Sequence, residues 1–195
     1  RDRSPSRGLG DVYKRQSPDT VVLATGASGS GLEVDSDGSI PIYTEDQAMT
    51  EDVGNRVLFV DLLGYQQQSF VAEYLCSIGA ILTMATPFPQ VGPNIGFTHI
   101  RGHMERLYKF GAEFRTSTAV TRIANGEVEL RHLFSKKTEA LSYDAVVAGT
   151  MAQADTSLLD TSRLFTNSII LAGDAVAPRT ALHAFREGDD AGRQI

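Results

Sequence analysis

The sequence is poor in the features that mark secreted, membrane and nucleic-acid-binding proteins. It contains one cysteine, Cys76, in 195 residues, so an intramolecular disulfide framework is excluded and the composition fits a reducing cytoplasm. No apolar run approaches the roughly 18 residues that a membrane-spanning helix needs. Residues 1–16 lack the apolar centre of a signal peptide. Basic residues are scarce: 18 Lys and Arg stand against 24 Asp and Glu, a net charge of −6. So acidic a chain suits neither a phosphate backbone nor an anionic membrane surface. What is present is ordinary for a globular protein, with 42% hydrophobic and 22% charged residues. The length accommodates one large α/β domain or two small ones.

The first residues read differently from the rest. Arg1–Gln16 (RDRSPSRGLGDVYKRQ) has no initiator Met and neither helical nor strand periodicity. Ser6–Gln16 looks like the conceptual translation of a transposon-end sequencing adapter; the DNA string GAT-GTG-TAT-AAG-AGA-CAG encodes Asp11–Gln16. Residues 1–16 are therefore expected to be non-native and are set aside from fold reasoning. They hold five basic and two acidic side chains, so the remaining 13 basic and 22 acidic residues give a net charge of −9. The chain also stops at Ile195 within a helical pattern. Both ends are expected to be cut from a longer protein.

From Ser17 onward the pattern is α/β. Asp19–Ala24 (DTVVLA) reads as a buried strand ending in Thr25–Gly26, and the Gly-, Ser- and Asp-rich residues 27–38 as loop. Thr44–Asp52, with Thr44 followed by Glu45, Asp46 and Gln47, has a capping-type start and reads as a short helix. Arg56–Asp61 (RVLFVD) reads as a central strand, and Ser69–Ile78 as a helix with Phe70, Val71, Tyr74, Leu75 and Ile78 on one face. Ala80–Thr86 is the next strand, which completes a βαβ unit and implies a parallel sheet. A helix over Phe97–Phe110 and short strands at Ala112–Thr116 and Ala119–Ile123 follow. Asn125–Gly126 marks a hairpin. Asp144–Gly149 and Ser168–Gly173 are buried strands, Leu158–Thr166 is irregular, and Arg179–Ile195 is helical.

Two segments carry the chemistry. Ala24–Thr25–Gly26–Ala27 ends one apolar strand, and Ala172–Gly173–Asp174–Ala175 follows another and precedes a helix. A Gly at a strand end lets the backbone approach a ligand. An Asp there accepts hydrogen bonds from sugar or ribityl hydroxyls, and the N-terminus of a following helix attracts a pyrophosphate or a flavin carbonyl. Each segment alone is a common turn; together, on two strands separated by a whole βαβ unit, they are far more specific.

The arrangement resembles flavoproteins with paired dinucleotide domains, in which a nucleotide domain is inserted into an FAD domain. Ala172–Ile195 (AGDAVAPRTALHAFREGDDAGRQI) is similar to the C-terminal region of the trimethylamine dehydrogenase and 2,4-dienoyl-CoA reductase branch of the old yellow enzyme-like family. Arg56–Pro87 supports the same branch. The resemblance implies an α/β, Rossmann-like parallel sheet of the two-dinucleotide-domain flavoprotein type, incomplete in this chain. Residues 17–50 and 151–195 would belong to the FAD domain and 51–150 to the inserted NAD- or ADP-like domain. FAD, or ADP, would be held by Thr25, Gly26, Gly173, Asp174 and Ala175. Arg179 would either reach a flavin or phosphate anion or be a surface arginine. The parent protein would carry FMN and its substrate in an N-terminal barrel, then a 4Fe–4S cluster. One Cys cannot ligate a cluster that needs about four thiolates, so no metal ligand and no catalytic residue is assigned within this chain. The implied partners are that barrel and an electron-transfer flavoprotein, and an oligomer is compatible with the family.

The inserted unit departs from the nicotinamide pattern. The turn after Val57–Val60 reads Asp61–Leu62–Leu63–Gly64–Tyr65–Gln66–Gln67–Gln68, with one Gly where a G-x-G-x-x-G turn is required. The second strand ends Met84–Ala85–Thr86, without an acid for a ribose 2′-hydroxyl or an Arg for a 2′-phosphate. This argues against a working NAD(P)H site and leaves two readings: an ADP-binding module, or a domain retained for packing. Three smaller features have structural readings. His99 and His103 lie one helical turn apart, are without a third metal ligand, and are expected on a solvated face. Cys76 is expected to be a small core residue. Glu187, Asp189 and Asp190 are expected to be solvated.

Overall fold

A computed structural model describes residues 18–195; the adapter-like segment 1–16 lies outside the described residues. The chain forms two compact units, one made of the described residues up to Ser28 with Ala152–Ile195, the other of Gly29–Met151.

The larger unit contains strands β3 (Asp35–Ser36) and β4 (Ile42–Thr44), helix α1 (Glu45–Ala48), β5 (Arg56–Asp61), α2 (Gln66–Ser77), β6 (Ile81–Ala85), α3 (Phe97–Lys109), β7 (Glu113–Arg115), β8 (Thr118–Ala124), β9 (Glu127–His132), β10 (Thr138–Leu141) and β11 (Ala145–Gly149). Five strands form one sheet in the order β4-β11-β5-β6-β7, every neighbouring pair parallel. Four more form a second sheet, β10-β9-β8-β3, with β8, β9 and β10 an antiparallel meander and β3 parallel to β8. Residues 29–50 pack with this unit, because β4 adds an edge to the parallel sheet by pairing with β11.

β5 explains the layering. Successive side chains point to opposite faces of a strand. Val57 and Phe59 join one apolar cluster with Val71, Leu75 and Cys76 of α2 and Leu107 of α3. Leu58 and Val60 join another with Ile123, Val128 and Leu130 of the meander. A parallel strand covered on both faces reads as an uninterrupted apolar run, which Val57–Val60 (VLFV) is.

α2 corrects the expected face. Its buried residues are Gln68, Ser69, Val71, Ala72, Leu75 and Cys76, whereas Phe70 and Ile78 are more than half exposed. The buried stripe is rotated because Gln68, polar in sequence, enters the interior with its amide satisfied by Glu45. α1 begins as expected, with a capping box in which the Thr44 hydroxyl accepts from the Gln47 N–H and the Gln47 side chain accepts from the Thr44 N–H.

The smaller unit contains β1 (Val21–Leu23), β2 (Ala27–Gly29), β12 (Ala152–Ala154), α4 (Leu159–Ser162), β13 (Ile169–Leu171), a 3-10 turn (Gly173–Ala175) and α5 (Ala181–Gln194). β1 lies parallel to β13, and β12 pairs with β2. The stretch 27–38, expected to be loop, therefore holds two short strands, and the segment expected to be irregular holds α4. Among the described residues no helix is long and apolar enough to cross a membrane.

Candidate functional site

The smaller unit brings the two expected segments together. β1 and β13 are in parallel register, Leu23 opposite Leu171, so Thr25–Gly26 and Gly173–Asp174 leave the same edge of the same two-stranded sheet. The Ala172 N–H donates to the Leu23 carbonyl at 2.9 Å, which extends the pairing to the brink of the turn. Gly26 has φ +82° and no atom within 4 Å of where a Cβ would stand. Gly173 has φ +67°, a conformation that disfavours an L side chain, and Ala184 of α5 lies 3.6 Å from its Cβ position. Gly173 thus serves both the turn and the approach of α5.

The neighbouring side chains have definite partners. The Thr25 hydroxyl donates to the Asp155 carbonyl, and the Asp155 N–H donates to the Gly26 carbonyl at 2.9 Å. Asp174 is half-buried and accepts the Arg179 N–H at 3.3 Å. Ala175 is buried. α5 begins only at Ala181, so the 3-10 turn and residues 176–180 stand between Gly173 and the helix. The guanidinium of Arg179 turns back on its own unit, donating from Nε to the Ala177 carbonyl at 3.1 Å and pairing with Glu187. Glu187 was expected in solvent. Its side chain is 23% exposed instead, because it completes the Arg179 pair nearly two turns into α5.

In the larger unit the first βα turn is closed by the chain itself. Asp61 is 0% exposed, and its Oδ1 accepts from Leu63 N–H at 3.0 Å and Gly64 N–H at 2.6 Å. The Tyr65 N–H donates to Gln68 Oε1 at 3.2 Å. Gln68 Nε2 in turn donates to both carboxylate oxygens of Glu45 at 3.1 Å. Burial raises the pKa of Asp61 against the two backbone hydrogen bonds. Burial also lifts Glu45 to about 7, with Asp61 and Asp46 adding repulsion and the Gln68 amide opposing the rise. β4, β11 and β5 are adjacent and parallel, so Glu45, Gly149 and Asp61 share one sheet edge. Sequence reading saw the poverty of glycine in this turn but not the carboxylate that fills it. The sequence signal was an acid directly after the apolar run Val57–Val60.

The histidine pair separates. His99 is exposed, whereas His103 is buried, pairs through Nδ1 with Glu73 and meets the Phe70 ring edge-on at 4.9 Å. Arg106 also binds Glu73, at 2.7 Å from Nε. Burial pushes the Glu73 pKa up, but the hydrogen bonds from Arg106 and His103 outweigh it and hold the carboxyl below its ordinary range. The expected solvated face is thus a polar tie between α2 and α3, made because His103 lies on the stripe of α3 that carries Leu107. Cys76 sits in the core as expected, and burial raises its thiol to about 11. Among the described residues no group of three or more His, Cys, Asp or Glu is placed to hold a metal ion.

The parallel sheet and its βα crossovers define an α/β, Rossmann-like fold. No family model matches the chain, and no curated protein matches it in sequence. Solved structures do match its shape. Histamine dehydrogenase from Rhizobium sp. 4-9 superposes with a TM-score of 0.84 at 23% identity, over 97% of this chain and 32% of that one. A 2-naphthoyl-CoA reductase in complex with 2-naphthoyl-CoA gives 0.80 at 21% identity, over 95% and 28%. The HOCl-induced flavoprotein disulfide reductase of Escherichia coli gives 0.65 at 15%, over 86% and 42%. At these identities the likeness is one of fold, and the chain spans less than half of each of these structures.

Proposed function

We propose that the chain is the cofactor-holding C-terminal region of a flavin-dependent oxidoreductase of the amine dehydrogenase or enoate and dienoyl-CoA reductase type. The observation that carries this reading is the convergence of Thr25–Gly26 and Gly173–Asp174 on one edge of the β1–β13 pair. The fit to an FAD, or to its ADP part, is local. Gly26 leaves open space where a side chain would stand, Gly173 takes the left-handed φ of +67° that the turn needs, and Asp174 offers a carboxylate to ribityl or ribose hydroxyls. Thr25 and Ala175 shape the backbone on either side. Arg179 orders the turn through its backbone N–H on Asp174. The bound flavin would supply the electron-transfer chemistry; the residues here bind and orient it.

The shape shared with an amine dehydrogenase and a CoA reductase supports the family resemblance of Ala172–Ile195. On this reading substrate chemistry takes place in an N-terminal FMN barrel with a 4Fe–4S cluster, and an electron-transfer flavoprotein is the candidate acceptor. Flavin content of a complete gene product carrying this chain tests the proposal. Stoichiometric FAD or ADP beside FMN is expected, and a protein that purifies gently without flavin refutes it. Exchanging Asp174 for Ala should lower retention of the dinucleotide while leaving FMN bound.

The filled turn at Asp61 speaks against NAD(P)H turnover in the larger unit, which would then be either an ADP-binding module or a domain retained for packing. Calorimetric titration with ADP, NADH and NADPH separates the options. Hydride transfer from NADPH restores a reductase, ADP binding alone supports a nucleotide module, and no binding supports a packing role.

A further inference from the structure

In a dinucleotide-binding unit the N–H groups between the first strand and its helix point at a pyrophosphate, and glycine lets that group come close. Here three consecutive N–H groups of the turn are already taken. Leu63 and Gly64 donate to Asp61 Oδ1 at 3.0 and 2.6 Å, and Tyr65 donates to Gln68 Oε1 at 3.2 Å. The outer side of the turn is closed as well. Asn94 binds the Leu63 carbonyl through Nδ2 at 2.7 Å and the Gly64 carbonyl through its N–H at 3.0 Å. A Cβ on Gly64 would stand 2.5 Å from Pro93 Cδ, so the glycine is used to admit the chain's own proline. The second Asp61 oxygen, Oδ2, is buried without a hydrogen-bond partner. Glu45 adds another carboxylate on the far side of the Gln68 amide.

We infer that Asp61 is an internal stand-in for a ligand phosphate, which fills the anion position before α2 and keeps pyrophosphate-bearing nucleotides out of the larger unit. A second anion brought to the same N–H groups would meet the buried Asp61 carboxylate, and like charges at such range repel strongly in a low dielectric. The consequence is specificity: of the two readings of this unit, the packing role is the one its first turn is built for. The inference concerns residues 29–151 alone and is independent of the flavin reading of the smaller unit.

The test is hydrogen–deuterium exchange over residues 61–68 in the full chain, with inorganic pyrophosphate or ADP added at millimolar concentration. A local readout keeps binding in the smaller unit from being mistaken for binding here. The wild-type chain is expected to show no added protection in this segment. Asp61→Gly is expected to gain protection with both probes and to bind pyrophosphate at least about tenfold more tightly than wild type. Protection of 61–68 by ADP in the wild-type chain overturns the inference. So does an Asp61→Gly protein that melts cooperatively yet binds no more tightly than wild type. Should that variant fail to fold, Asp61→Asn, which removes the charge and keeps an acceptor for Leu63 and Gly64, takes its place. Tighter pyrophosphate binding by Asp61→Asn than by wild type supports the inference, and unchanged affinity overturns it.

Discussion

Replacing Glu45 by Gln should produce a stability difference that changes sign with pH. The folded carboxyl is raised to about 7 from an ordinary value near 4.5, by burial first and by repulsion from Asp61 and Asp46 next. A raised acid binds its proton more tightly in the folded state. The wild-type chain therefore has the full benefit of a neutral Glu45 below pH 4.5 and loses it as the pH rises through about 7. At about 1.4 kcal/mol per pH unit the loss is about 3.5 kcal/mol at most, and nearer 1–2 kcal/mol once the partly open side of Glu45 is allowed for. Gln keeps one of the two acceptors that Gln68 Nε2 now uses, at a loss of about 0.5–1.5 kcal/mol. Urea melts of both chains from pH 4.5 to 8.5 give the two curves. Glu45→Gln should be about 1 kcal/mol less stable than wild type near pH 5 and equal or more stable at pH 8. A difference that does not vary across this range would refute the reasoning, because it would place Glu45 in ordinary solvent. Carboxyls with lowered folded pKa act at the other end. Hydrogen bonds from Ser39 and Asn125 hold Asp37 at about 2, and those from Arg56 and Asn55 lower Asp144, so their contributions are lost only as the pH falls below the usual carboxylate range.

Three further outcomes are expected. Leu75→Ala removes a fully buried side chain from the cluster under α2 and should cost about 2–5 kcal/mol in a urea melt, against less than about 1 kcal/mol for Ile78→Ala on the exposed end of the same helix. Cys76, with a buried thiol raised to about 11, should be inert to a thiol reagent at pH 8 in the folded chain and react at once in denaturant. Gly173→Val places a β-branched side chain at φ +67° beside Ala184; it should destabilise by more than about 2 kcal/mol in a thermal melt and lower the flavin content of the complete protein.

The βαβ unit, the Asn125–Gly126 hairpin and the Thr44 cap were legible because each is a local signal. The apolar run of β5 reports burial on both faces, Asn-Gly reports the turn between β8 and β9, and Thr44 with Gln47 reports a helix start. Two-residue strands such as β3, and edge strands such as β4, were not legible. Their few side chains carry no period, and their pairing partners lie far along the chain. The face of α2 was misplaced for a related reason. Apolar spacing alone cannot tell Phe70 in solvent from Gln68 in the interior when a carboxylate elsewhere satisfies the glutamine.

By itself the sequence determined the α/β class, the two glycine-bearing strand ends and the lack of a glycine-rich turn after Val60, all of which are properties of short windows. Tertiary structure alone decided that Thr25–Gly26 and Gly173–Asp174 share one edge, since parallel register between residues about 150 apart is fixed by packing and by backbone hydrogen bonds. It also decided what occupies the turn before α2. A buried carboxylate can be held there only because Leu63, Gly64 and their Pro93–Asn94 cover close around it, and no window of the sequence contains that enclosure.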